Sequence, residues 1–257
     1  MQSSPVIVVV AMADEAAPFL ELASWVGDEV VVGTAVLREI EVSGQRLQLV
    51  QSGIGFVNAA AAATAAILRA REATPAGPPL LVSAGTAGGL GDGVAVGDVV
   101  VGSEYINIDA DARVFGYVLG QVPGMPAVYE GDPRMLAAVP ELARAGAVRT
   151  GLIASSYSFV TAERAAIARA DFPRVAAVDM ESSALAQVCF SQHVPFVSVR
   201  GISDLASATA ATDFVENTDR TALRSADVAL TLAALAEAAA ASPTADTTTA
   251  PASTPTP

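Results

Sequence analysis

The chain has 257 residues, 52% of them hydrophobic, and a formal net charge of −13. That length and apolar content suit one large α/β domain whose core needs no staples. The acidic balance, with no lysine and no basic patch, argues against nucleic-acid binding. No stretch approaches the roughly 18 uninterrupted apolar residues of a membrane span. The single cysteine, Cys189, excludes an intramolecular disulfide and fits a reducing compartment. A cytoplasmic location is expected, without membrane attachment.

The start, MQSSPVIVVVAMADE, lacks a positive region and runs straight into acids. It predicts a first buried strand over 5–10 in place of a signal peptide. A helix is expected over 15–23. Residues 29–42 and 46–51 read as two or three strands, with turn breaks at Gly33 and Ser43-Gly44. SGIGFVNAAAAATAAILRAR gives a glycine turn and a helix over 57–71, whose alanines suit close packing on a sheet.

PPLLVSAGTAGGL reads as a buried strand running into a glycine-rich turn, and GVAVGDVVVGSEYI as a strand pair. Residues 103–131 show no clear period, which points to a functional or interface segment. A helix over 133–145, a strand over 148–155 and a helix over 162–170 follow. VAAVDMESSALAQVCFSQHVPFVSVRGISD, 175–204, reads as strand, helix, strand. A last helix is expected over 216–240. Residues 241–257, rich in Ala, Pro and Thr, cannot bury a core and are expected to be disordered. There are no internal repeats. The alternation predicts one domain over 1–240, a three-layer α/β/α fold with a central mixed sheet flanked by helices.

Ligands of open α/β sheets bind outside the carboxyl ends of the strands. Glu181 and Asp204 are expected there, on strands read as neighbours. They are a plausible pair for sugar hydroxyls and proton transfer, although spacing alone serves equally well for solvated strand-end caps. AMADE adds Met12 and Glu15, SAGTAGGL adds Thr86 and a run of backbone amides, and RGISD adds Arg200 and Ser203. A glycine-rich turn can cradle an anion. Neither GxGxxG nor GxxxxGK[ST] is present. His193, in the turn SQHVP, reads as a surface or capping residue, and no Ser-His-Asp triad forms around it. No His and Cys cluster has metal-ligand spacing. The chemistry is left to carboxylates, hydroxyls, an arginine and backbone amides.

Taken together, AMADE, SGIG, SAGTAGGL, DADARVFGYVLGQVPGMP, FV at 159–160, AVDMES and VRGISD resemble the 5′-methylthioadenosine/S-adenosylhomocysteine nucleosidases. These belong to the purine nucleoside phosphorylase superfamily. The ordered set spans essentially residues 5–235. The resemblance implies hydrolysis of the N-glycosidic bond to adenine and the thioribose, without metal or organic cofactor, by a homodimer. It implies Asp204 as the acid at adenine N7 and Glu15 as the residue activating water, with Arg200 and Thr86 helping to position Glu15 and that water. Glu181 would accept the ribose hydroxyls, with Met180 against the sugar and Ser203 beside Asp204. Phe159 and Val160 would hold adenine. Met12 and Ile54 would line the sugar and alkylthio side. Phe115, Tyr117 and Pro123 would reach the neighbouring subunit's pocket.

The chain departs from the family pattern in places. Thr86 replaces a serine, Asp179 a glutamate, Tyr157 an aspartate, and RGIS stands for RAIS. Tyr157 is expected near the base. A phosphorolytic relative needs arginines to hold phosphate, one just before the glycine-rich turn, where Ser83 stands. Glu15 would repel phosphate. Futalosine-type hydrolysis stays open, as does a non-catalytic nucleoside-binding protein, which would not need both acids.

Overall fold

The computed structural model describes residues 5–73, 78–145 and 147–241. The expected tail lies outside the described residues, except that the last helix, α7 (Ala210–Ala241), reaches Ala241. Parallel strands β1 (Val6–Val10), β5 (Gln45–Gln51) and β6 (Leu80–Gly89) form the sheet's middle. In β1 all five residues are buried. Alternation sends Val6, Val8 and Val10 into one core and Ile7 and Val9 into the other.

The first core is covered by α1 (Ala13–Leu22) and α7, the second by α2 (Phe56–Ala73) and α6 (Ser182–Gln192). On α2, Ala59, Ala62, Ala63, Ala66, Ile67 and Ala70 form the buried stripe. Their small side chains let the helix lie close to the sheet. Cys189, buried on α6, is a packing residue whose thiol burial pushes up. His193 caps α6 in the left-handed conformation, and its backbone N–H satisfies the Cys189 and Phe190 carbonyls. The three-layer α/β/α reading therefore holds.

Five further strands are β4 (Ala35–Val42), β7 (Val99–Asn107), β9 (Val148–Ser155), β10 (Val175–Asp179) and β11 (Phe196–Asp204). With the short edge strand β2 (Trp25–Val26) the order is β10-β9-β7-β11-β6-β1-β5-β4-β2, while β3 (Val30–Val32) pairs with β4, β8 (Tyr129–Glu130) pairs with β7, and α5 (Ala162–Asp171) lies between β9 and β10 in the chain. β10 and β11 are therefore not the neighbours expected from sequence. Two strands, β9 and β7, separate them on one side. β10 also pairs antiparallel with the far end of β6, Ala177 opposite Gly89. This contact closes β6, β10, β9, β7 and β11 into a ring and brings the ends of β10 and β11 to one opening.

The glycine-rich segment is not a turn. SAGTAGG continues β6 to Gly89 with every residue buried, and Arg200 to Ile202 of β11 pair with Gly85 to Ala87. In GVAVGDVVVGSEYI the first six residues form turns and the remainder one bulged strand, β7, where a pair was expected. The 133–145 helix is broken into α3 (Pro133–Leu136) and α4 (Val139–Ala145). α7 starts at Ala210, earlier than expected. Its polar opening SATAATD reads as a loop, yet Thr209 caps it, accepting from the Asp213 N–H and donating to its carboxylate. Residues 108–128 form an irregular arm, with one 3-10 turn at Arg113–Phe115.

Candidate active site

A cleft opens at the carboxyl ends of β1, β6, β10 and β11. Met12, Glu15, Ile54, Thr86, Phe159, Val160, Met180, Glu181, Ser203 and Asp204 all line it. These positions are remote in sequence and meet because parallel strands deliver their ends to one edge.

Glu15 stands on the first turn of α1, 5% exposed. Its Oε2 accepts from the Ala11 N–H at 2.9 Å and the Met12 N–H at 3.2 Å. Its Oε1 accepts from the Thr86 N–H at 2.8 Å and the Thr86 hydroxyl at 3.0 Å. The carboxylate passes over Gly85, where a Cβ would stand 2.5 Å from Oε1. Gly88 gives the same room to Asp204, with 3.1 Å from a Cβ position to Oδ1. Gly85 and Gly88 of SAGTAGG thus leave space for two carboxylates.

Asp204 ends β11. Its Oδ1 accepts from the Ala206 N–H at 2.8 Å and its Oδ2 from the Ser203 hydroxyl at 3.0 Å. Burial raises its carboxyl above the usual range, and Asp213 adds to the rise. Glu181 follows β10, and its Oε1 accepts from the Gly55 N–H at 2.8 Å. Gly55 has φ +96°, a conformation that other residues rarely adopt. Burial first, then Asp179, pushes Glu181 up to about 8, against the pull of Arg200.

Arg200 does not join Glu15 as the resemblance implied. It is 2% exposed and outside the cleft lining. Its Nε donates to Asp179 Oδ2 at 2.7 Å and its Nη2 to the Ser83 hydroxyl at 2.9 Å. Burial alone would lower the guanidinium, but Asp179, Glu181 and Glu15 outweigh it and raise it. Asp179 also accepts from the Ser155 hydroxyl at 2.6 Å, the Ser182 hydroxyl and the Glu181 N–H. Arg200 therefore reaches the site through Asp179, which fixes the turn that carries Glu181.

Asp179, noted from sequence only as a departure, and Phe214, not singled out there, also line the cleft. The signal for Asp179 was a carboxylate ending one apolar strand and an arginine inside another, which need each other when buried. Phe214, on the first turns of α7, meets Phe159 edge-on with ring centroids 6.0 Å apart. Tyr157 does not line the cleft. Its ring packs on Phe56, centroids 4.4 Å apart, and faces away. Phe115, Tyr117 and Pro123 lie on the arm and do not line this chain's cleft. Phe115 is 79% exposed. The glycine in RGIS has a physical reason: a Cβ at Gly201 would run into the Thr221 carbonyl of α7.

A mixed sheet with a closed ring and carboxylates at its opening defines a nucleoside phosphorylase-like protein, and the sequence profile of the phosphorylase superfamily matches residues 5–234. A 5′-methylthioadenosine/S-adenosylhomocysteine nucleosidase of Actinobacillus succinogenes is 42% identical over 188 residues, 72% of this chain and 79% of that protein. The Neisseria meningitidis nucleosidase of that name, crystallised with methylthio-immucillin-A, is 39% identical with TM-score 0.82 over 90% of this chain and 98% of its own. The Colwellia psychrerythraea nucleosidase, in complex with adenine, is 33% identical with TM-score 0.84 over 91% and 96%. The chain belongs to the 5′-methylthioadenosine/S-adenosylhomocysteine nucleosidase family.

Proposed function

We propose that this protein hydrolyses the N-glycosidic bond of 5′-methylthioadenosine and S-adenosylhomocysteine, giving adenine and the thioribose. The observation that carries the reading is one cleft lined by Glu15, Glu181 and Asp204, with no arginine among its described lining residues. A phosphorylase needs cations to hold phosphate there. The relatives' activity and their adenine and immucillin complexes support the same reading.

Asp204, whose carboxyl keeps its proton more readily than usual, gives that proton to N7 as the C1′–N9 bond breaks. The base then leaves neutral. The ribosyl group passes through an oxocarbenium-like state, as in glycoside hydrolysis. Water adds its oxygen to C1′ and gives its proton to Glu15, held in place by Thr86 and the Ala11 and Met12 amides. Glu181 accepts the ribose hydroxyls with Met180 against the sugar. Phe159 and Val160 hold the base, and Met12, Ile54 and Phe214 line the remainder of the cleft. Arg200 acts through Asp179 on Glu181.

The working form is a homodimer in the cytoplasm. Exposed Val57, Val114, Phe115 and Val118 support a second copy as the arm's partner. Phe115, Tyr117 and Pro123 then complete that copy's 5′-substituent pocket. Sedimentation would test the dimer.

Incubation with 5′-methylthioadenosine, with and without phosphate, tests the reaction by chromatography. Adenine and free methylthioribose in both conditions are expected. Methylthioribose 1-phosphate that forms only with phosphate would replace hydrolysis by phosphorolysis. Turnover of futalosine alone would move the substrate.

A further inference from the structure

One carboxylate ties the 108–128 arm to the loop 156–160. β7 and β9 run parallel with Asn107 opposite Ser155, so the chain leaves both strands side by side. The Ile108 N–H donates to the Ser155 carbonyl at 3.1 Å. Asp109 then turns back, its N–H donating to Asn107 Oδ1 at 2.9 Å. Its carboxylate accepts from the Ser156 hydroxyl at 3.0 Å, the Tyr157 N–H at 2.7 Å and Arg164 Nη2 at 2.7 Å. The Ser156 hydroxyl accepts in turn from the Ser158 N–H and from Arg164, each at 3.1 Å. Ser156, Tyr157 and Ser158 are thereby anchored, and Ser158, Phe159 and Val160 line the cleft immediately after.

We propose that Asp109 is a positioning residue for base recognition, holding the 156–160 loop so that Phe159 and Val160 meet the nucleobase. The proposal rests on the nucleosidase reading. It explains how the loop is fixed although Tyr157 faces away from the cleft. Arg164 is about half exposed and, as a surface ion pair, contributes little by itself. The backbone N–H donated to a carboxylate is charge-assisted and stronger. Without Asp109 the loop would have to be ordered at the moment of binding, which weakens binding without touching the acids. Glu15 and Asp204 make no contact with this network, so chemistry should proceed once the base is seated.

The test uses the full chain with Asp109→Ala and Arg164→Gln. Hydrogen exchange over 156–160, adenine affinity by calorimetry, and kcat and KM for 5′-methylthioadenosine are measured. In Asp109→Ala, exchange should rise and both adenine affinity and KM should worsen about tenfold, about 1.4 kcal/mol, with kcat unchanged. Arg164→Gln should show a smaller loss in the same direction. Wild-type adenine affinity and KM in Asp109→Ala would overturn the proposal. A fall in kcat with unchanged KM would do so too. A wild-type protein that binds adenine but releases none from 5′-methylthioadenosine would sink the nucleosidase reading instead, and the exchange and adenine data would still decide on Asp109. A wild type that releases adenine from 5′-methylthioadenosine but does not bind it would overturn the proposal and leave the nucleosidase reading standing.

Discussion

Glu15 on one wall of the cleft accepts four hydrogen bonds, two from the turn between β1 and α1 and two from Thr86 of β6. Asp204 on the other wall accepts two, one of them from its own neighbour Ser203. Donors around a carboxylate fix its direction. Burial with fewer donors makes it keep a proton. In the proposed mechanism the same residue class then serves opposite tasks in different surroundings, as in other paired-acid sites.

Exchanging each acid for its amide is the largest break in this comparison. Asp204→Asn cannot give up an acidic proton, and kcat should fall between about a hundredfold and ten-thousandfold while nucleoside still binds. Glu15→Gln cannot take the water's proton, and a loss in the same range is expected. Near-normal turnover in either variant removes that residue from the mechanism. Thr86→Val probes how Glu15 is held. It deletes one of the four donors and keeps the backbone N–H. A fall in kcat of about tenfold is expected, the size of one hydrogen bond to a charged acceptor, and unchanged kcat would show that the amides suffice.

The smallest effect concerns stability. With Glu181 raised to about 8 from 4.5, the folded protein keeps a proton that the unfolded chain releases. Stability from this group therefore falls as pH rises from about 4.5 towards 8. Glu181→Gln should flatten the decline of melting temperature across that window. Parallel wild-type and variant curves would mean that the carboxyl is not raised.

Most strands and helices were legible because hydrophobic alternation and helical stripes are local signals. The acids were legible too, since Glu15, Glu181 and Asp204 each end or follow an apolar run. The ring closure was not, because the pairing of Ala177 with Gly89 joins positions far apart in sequence. Glycine density in SAGTAGG signals a turn to any local reading. Here the missing side chains answer to Glu15, which arrives from another part of the chain. Arg200 was misplaced for the same reason. Which carboxylate it meets depends on the approach of β10, a tertiary fact.

The space above Gly85 and Gly88 also sets how this protein can be altered. A buried strand usually tolerates an added methyl if neighbours can shift, but here the neighbours are Glu15 and Asp204, the two acids of the proposed mechanism. A mutant library that varies these two positions would retain folded members and lose the reaction from almost all of them. Changes in selectivity must therefore come from the loops around the opening. The catalytic centre and the recognition elements can then diverge at different rates within one chain, and new substrates can be sought there without reopening the chemistry.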